Sequence, residues 1–243
     1  MPRLLMLVWV LSFFGAALAD ESRPIIKVAV IEFPTFAELN AEGELVGKTV
    51  TLSRKLIVEA GYEPQFQLLP TARIWLGLQN GDVDIWPGIM NKPDMTEHTL
   101  LTERDMGYVS IYLYHRPDTP TPVWPDGLRG KDVIVITNFT YTQNMRQLLQ
   151  QTVGNLYQSA SHAGAVEMLM RGRGDYLLDY RSQVEPVLQQ RGIASLPHIE
   201  ITAQPMRFMI SRRSPLAFQL REDLDAAFDR LQARGEELDV SLQ

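Results

Sequence analysis

The sequence predicts an α/β protein of two lobes, each a mostly parallel sheet flanked by helices. Two observations carry this. Short β-branched runs alternate with amphipathic helical stretches along the chain. The alternation is interrupted by residues 116–130, which hold Pro117, Pro120, Pro122, Pro125, Gly127 and Gly130, and it resumes beyond them.

The first nineteen residues are set apart from this pattern. Arg3 supplies an early positive charge, Leu4 to Phe14 is almost unbroken apolar sequence, and Ala17-Leu18-Ala19 places small residues at a cleavage site. These are the parts of a secretory signal peptide, with Asp20 as the new N-terminus. The apolar run is shorter than the ~20 residues of a spanning helix, which disfavours a retained anchor. No Cys follows the site, so lipid attachment at a lipoprotein Cys is excluded. A soluble periplasmic protein is expected.

The elements follow in order. Ile25 to Ile31 is a buried strand. Leu45 to Gly47 turns into a helix from Thr49 to Ala60, with Leu52, Leu56 and Ala60 on one face and Gly61 ending it. Pro64 to Leu69 alternates as a strand, Thr71 to Asn80 is a helix stopped by Gly81, and Val83 to Trp86 is a short strand ending at Pro87-Gly88. This βαβαβ order implies parallel strands with right-handed crossovers. Gly107 to His115 is an aromatic strand, and residues 116–130 form a linker or surface loop. The second set is a strand from Asp132 to Ile136, a helix from Thr140 to Gln151, a strand from Leu156 to Ser159, a helix from Ala163 to Met170 and a strand from Tyr176 to Tyr180. Further strand lies within residues 199–211. Ser214-Pro215 reads as the N-cap and first position of a last helix, striped by Leu216, Leu220, Leu224, Phe228 and Leu231. The expected lobes are residues 20–115 with 193–243, and residues 116–192, with hinges near His115 and in residues 181–192.

Composition narrows the chemistry. There is no Cys among the 243 residues, so thiol catalysis, thiolate metal sites and disulfides are excluded. The formal net charge is −6 and no basic block occurs, which argues against a nucleic-acid partner. His98, His115, His162 and His198 are scattered, without a metal-site spacing. There is no G-x-S-x-G, no G-x-G-x-x-G and no P-loop, so neither a nucleophile elbow nor a nucleotide cofactor is expected.

The runs VAVIEFPTF, GELVGKTVTLSRKLIVEAGYEPQF, LQNGDVDIWPGI, KDVIVITNFT and GRGDYLLDY, in this order, resemble the periplasmic solute-binding proteins of the amino-acid-binding type, often called family 3. The resemblance spans essentially the whole chain after residue 19. It implies two α/β lobes joined by a hinge of two crossing strands, closing on a ligand by hinge motion, with an inner-membrane transporter permease as partner; a monomer without cofactor or metal is expected. It also implies site residues. Phe33 corresponds to an aromatic that packs over the ligand, although a core aromatic beside a turn fits as well. Gly88, Met90 and Asn91 fall on the segment that lines the cleft. Thr137, Asn138 and Thr140 fall on a strand-to-helix turn that receives an anionic group, and Thr140 also suits a helix cap.

Three departures separate this chain from that pattern. The loop Asn91-Lys92-Pro93-Asp94-Met95-Thr96 lacks the Arg that clamps an α-carboxylate, and Lys92 offers only a point charge. Asn138 stands where the family has Gly. The acidic residue expected to hold an amino group falls on Tyr180, with Asp179 one position short, and one residue on a strand reverses the face. Arg73, at the start of the second helix, is either a replacement anion contact or a surface residue. Trp75 and Trp86 are either a stacking wall or core, and Glu32 and Asp179 are the acids nearest the expected cleft. The leading expectation is a non-catalytic binder of a small amino-acid-like, zwitterionic or anionic solute. The alternatives are a dehydratase-like enzyme on the same scaffold, using a cleft carboxylate as general acid or base, and a ligand-sensing accessory protein of a membrane receptor.

Overall fold

The computed structural model describes residues 23–137 and 143–241. The leader expected at residues 1–19, and Asn138 and Thr140, lie outside the described residues.

The first lobe starts with strand β1 (Ile25–Val30), whose run of β-branched residues is buried along its second half. A tight turn over residues 33–37 and the small hairpin β2 (Glu38–Leu39) and β3 (Leu45–Val46) lead to helix α1 (Lys48–Glu59). Strand β4 (Glu63–Leu68), helix α2 (Thr71–Asn80) and strand β5 (Ile85–Gly88) complete the predicted βαβαβ unit. Gly81 ends α2 in the left-handed conformation that only glycine adopts without cost. A short strand that the sequence pattern does not reveal, β6 (Thr99–Leu101), follows.

Strand β7 (Tyr108–His115) begins the second sheet. It is followed by β8 (Asp132–Ile136), helix α3 (Gln143–Thr152), β9 (Asn155–Ser159), helix α4 (His162–Met170), β10 (Tyr176–Tyr180) and helix α5 (Arg181–Gln190). Strand β11 (His198–Pro205) returns along β7, and β12 (Arg207–Ser211) re-enters the first sheet ahead of helix α6 (Ala217–Ala233).

The first sheet runs β4-β1-β5-β12-β6 and the second β11-β7-β10-β8-β9. In each, the βαβ strands pair in parallel, while the strands at the other side of the sheet pair antiparallel (β12 with β5 and β6; β7 with β10 and β11). Each sheet is therefore mostly parallel as expected, with four strands running one way and a single strand, β12 or β7, running against them.

Sheet membership corrects the expected boundaries. β7 and β11 pair over residues 108–114 and 198–205 within the second sheet, so the chain crosses between Leu101 and Tyr108 and again between Pro205 and Arg207. Residues 116–130 are then a loop of the second lobe, not a linker between lobes. Leu128 is buried there, and Pro120 O accepts the Tyr176 hydroxyl at 2.9 Å. Residues 181–190, expected as a hinge, form a helix despite Pro186. The last helix starts at Ala217, and Ser214-Pro215 forms the turn before it.

The crossing is braced. Arg207 Nε donates to Asp105 Oδ1 at 2.5 Å, and the Tyr108 hydroxyl donates to Asp105 Oδ2 at 2.9 Å. The chain end lies against it, with Val240 N donating to Met106 O and Tyr108 N to Ser241 Oγ. Gly107, at φ +130°, admits this contact, because a Cβ there would meet Asp239 Oδ1 at 2.6 Å. Among the described residues no helix is long and apolar enough to cross a membrane.

Candidate functional site

Parallel strands present their C-terminal ends on one side of a sheet, and ligands collect there. Here those ends frame a cleft of about 1450 Å³ between the two sheets, larger than the ~300–1,000 Å³ of a typical ligand pocket. The first lobe supplies most of it: the end of β1 through Phe33, the end of β4 with the first turns of α2, and the end of β5 through Asn91 and Lys92. The second lobe adds Val109 of β7, Arg146 of α3 and Tyr180 of β10, and Met206 lies at the crossing.

The wall from the first lobe is apolar and aromatic. Trp75 and Trp86 both line the cleft, edge to face at 4.5 Å between ring centroids, and both are largely buried. They are core and wall at once, which joins the two sequence readings. Gly88 is fixed by the same packing, since a Cβ there would sit 2.6 Å from the Trp86 ring. Phe33 leaves β1 in a turn that places Thr35 at φ 73°, a left-handed position uncommon for a non-glycine residue. Phe36 N and Ala37 N both donate to Phe33 O, which holds that turn closed.

The two lobes touch at this corner. The Phe33 ring meets the Tyr180 ring edge-on at 5.5 Å, and Gln183 Nε2 donates to Pro34 O at 3.2 Å.

Of the sequence candidates, Phe33, Gly88, Asn91 and Tyr180 come together around the cleft. Met90 instead lines a neighbouring 200 Å³ cavity with Gly88, Leu101, Gln204, Pro205 and Arg207. Arg73 is exposed and does not line the cleft, whereas its neighbours Thr71, Ala72 and Trp75 do. A helix turns by about 100° per residue, so a place at the start of α2 does not settle which face a side chain takes. Thr137 N donates to Ser159 O at 2.8 Å, and the residue is not part of the lining.

The question of Asp179 against Tyr180 is resolved by strand parity. Tyr180 faces the cleft, and Asp179 points to the opposite side of the second sheet. There it is fully buried, accepting from Tyr180 N at 2.7 Å and lying 2.8 Å from His162 Nδ1. Burial pushes the Asp179 carboxyl above its usual range, with the His162 hydrogen bond pulling the other way. The Tyr180 phenol is raised well above its ordinary value by burial and by the neighbouring Asp179, while Arg146 acts to lower it. Tyr180 therefore stays a protonated hydrogen-bond donor at physiological pH.

Sequence reasoning passed over Arg146. It is exposed and lines the cleft together with Tyr180, and its positive charge acts to lower the Tyr180 phenol. One signal was available: it is the single charged residue in the helix QNMRQLLQQT. Glu32 and Lys92 are the other charged side chains of the lining, both from the first lobe, and Lys92 Nζ lies 3.6 Å from Asp94 Oδ2. Among the described residues no group of three or more His, Asp or Glu could hold a metal ion.

No protein-family model matches the chain, and no curated protein matches it. Solved structures do. A histidine kinase sensor domain with similarity to periplasmic binding proteins superposes with a TM-score of 0.68 at 19% identity, over 89% of this chain and 93% of that one. An ancestral arginine-binding protein bound to arginine gives 0.66 at 18% identity, over 88% and 94%. The substrate-binding protein of an amino-acid ABC transporter gives 0.61 at 15% identity, over 88% and 95%. At these identities the likeness speaks for architecture: the chain shares the two-lobe α/β fold of these proteins.

Proposed function

We propose that this protein is an exported, monomeric, non-catalytic binding protein. It captures a small organic solute between its lobes in the periplasm and hands it to an inner-membrane transporter permease. The observation that carries this reading is the cleft itself. It lies at the strand ends of both sheets, its wall is mostly apolar and aromatic, and a few polar groups point in from either side. That is the composition of a small-molecule site. The signal-peptide pattern ahead of Asp20 supports the location, and the binding protein of an ABC transporter among the structural neighbours supports the delivery role.

Native mass spectrometry of the protein purified from the periplasm tests the reading. A retained small mass and an N-terminus at Asp20 are the expected results. Adding that compound at 100 times its dissociation constant should stabilise the fold by about 2.7 kcal/mol, visible as a raised melting temperature. The likeness to a histidine kinase sensor domain favours a second reading, ligand sensing. Cells lacking the protein separate the two: loss of solute uptake supports delivery, and intact uptake with a lost response to the solute supports sensing.

A further inference from the structure

We infer that the cleft takes a small carboxylate with an apolar body and no α-ammonium group, its anionic end meeting Arg146 and the Tyr180 hydroxyl on the second lobe. The inference rests on the binding reading above and names the ligand class for the same cleft.

Three features lead to it. First, the polar groups on the second-lobe side suit an anion. Among the described lining residues of that lobe, Arg146 carries the one charge and Tyr180 the hydroxyl, and both line the same cleft. A guanidinium presents two parallel N–H donors to a carboxylate, and a phenol held protonated adds a third donor. Second, the acid that could have met an ammonium on this lobe is turned away. Asp179 is fully buried on the far face of β10, engaged with His162 Nδ1 and Tyr180 N. An ammonium brought against this rim would face the Arg146 cation, with no acid beside it among the described lining residues of this lobe. Third, the opposite wall is apolar. Phe33, Trp75, Trp86, Leu69 and Ile89 give a ligand body surface to bury. Among the described residues, Glu32 on the first lobe is the one acid of the lining and is exposed, and Lys92 of the same lobe is paired with Asp94.

The test uses matched triplets on the full mature protein: 4-methylpentanoate, its amide and leucine; 3-phenylpropanoate, its amide and phenylalanine. Calorimetry is run on wild type, Arg146→Ala, Arg146→Lys and, as a control outside the cleft, Arg129→Ala. The expected result is that a carboxylate binds at least about tenfold more tightly than both its amide and its amino acid. Arg146→Ala should weaken that carboxylate by about thirtyfold or more while leaving the amide unchanged. Arg146→Lys should recover part of the loss, since it keeps the charge and loses the planar fork. Arg129→Ala should bind like wild type. Circular dichroism melting confirms that each variant is folded.

The assignment is overturned if the amino acid or the amide binds as well as the carboxylate, if Arg146→Ala keeps the preference, or if no member of either triplet binds. A neutral or ammonium-bearing compound co-purifying with the protein would also overturn it while leaving the binding reading intact. Absence of any co-purified or stabilising small solute would remove both.

Discussion

The two rims of the cleft are built on different principles. The first-lobe rim is a wall: Phe33, Trp75 and Trp86 belong to the hydrophobic core and to the cleft surface together. Among the described residues the second-lobe rim contributes a charged group and a largely buried tyrosine, Arg146 and Tyr180. A wall of this kind supplies contact area with little orientation, and a guanidinium with a hydroxyl supplies orientation with little area. Neither rim alone makes a site. The division implies that removing a wall residue costs stability, whereas removing a second-lobe polar group costs binding.

The largest expected effect breaks the wall. Trp86→Ala should lower the unfolding free energy by about 3–5 kcal/mol, the range for truncating a large buried aromatic. A urea titration measures it. A loss below 1 kcal/mol would mean that Trp86 is a surface wall and no part of the core.

Tyr180→Phe sharpens the other side. A hydrogen bond to a charged group contributes about 1.5–3 kcal/mol, so carboxylate affinity should drop by about tenfold or more. Because the ring and its edge contact with Phe33 remain, the urea midpoint should stay close to wild type. Equal loss of stability and binding would contradict the division between rims.

Asp179 tests what lies behind the second rim. Asp179→Ala leaves the buried Tyr180 N–H without its side-chain acceptor, at a cost of about 1–3 kcal/mol. Asp179→Asn keeps an acceptor oxygen for that N–H and should cost less. Urea titrations of both variants rank them. The reverse order would show that the pairing with His162, rather than the backbone contact, fixes this strand end.

The smallest effect concerns the first lobe away from the cleft. Arg234, which caps the end of α6, and then Arg230 within it hold the Glu59 carboxyl at the end of α1 down to about 2. A carboxyl lowered in the folded state contributes stability above its unfolded value, about 4.5, and that contribution disappears as pH falls towards 2. Melting temperatures of wild type and Glu59→Gln should therefore differ slightly at pH 6 and converge by pH 2. The site is exposed, so the gap should stay small. A gap that persists at pH 2 would assign it to packing.

The same contrast explains what could be read from the sequence. The first-lobe βαβαβ unit is local: each strand and helix carries its own period, and Gly61 and Gly81 mark helix ends at the right places. Phe33, Gly88 and Asn91, named by the resemblance, line the cleft. What stayed hidden is non-local or angular. The pairing of β7 with β11 joins segments about ninety residues apart, and no local pattern tells which sheet they enter. Helix α5 hides behind Pro186, which argues against a helix interior. Arg73 and Arg146 both sit near helix starts, yet one faces solvent and the other the cleft. Asp179 and Tyr180 differ by one position, and only the register of β10 with β7 and β8 fixes which is inside.

The central claim is that the two rims act together on one solute, and small-angle X-ray scattering tests it most directly. Protein purified from the periplasm is compared with the same protein freed of bound small molecules by unfolding, dialysis and refolding, with native mass spectrometry confirming the removal. Hinge closure buries a solute between lobes, so the stripped protein is expected to show the larger radius of gyration and to compact again when the released fraction is returned. Superimposable profiles in both states, with the ligand shown to be removed, would contradict the account.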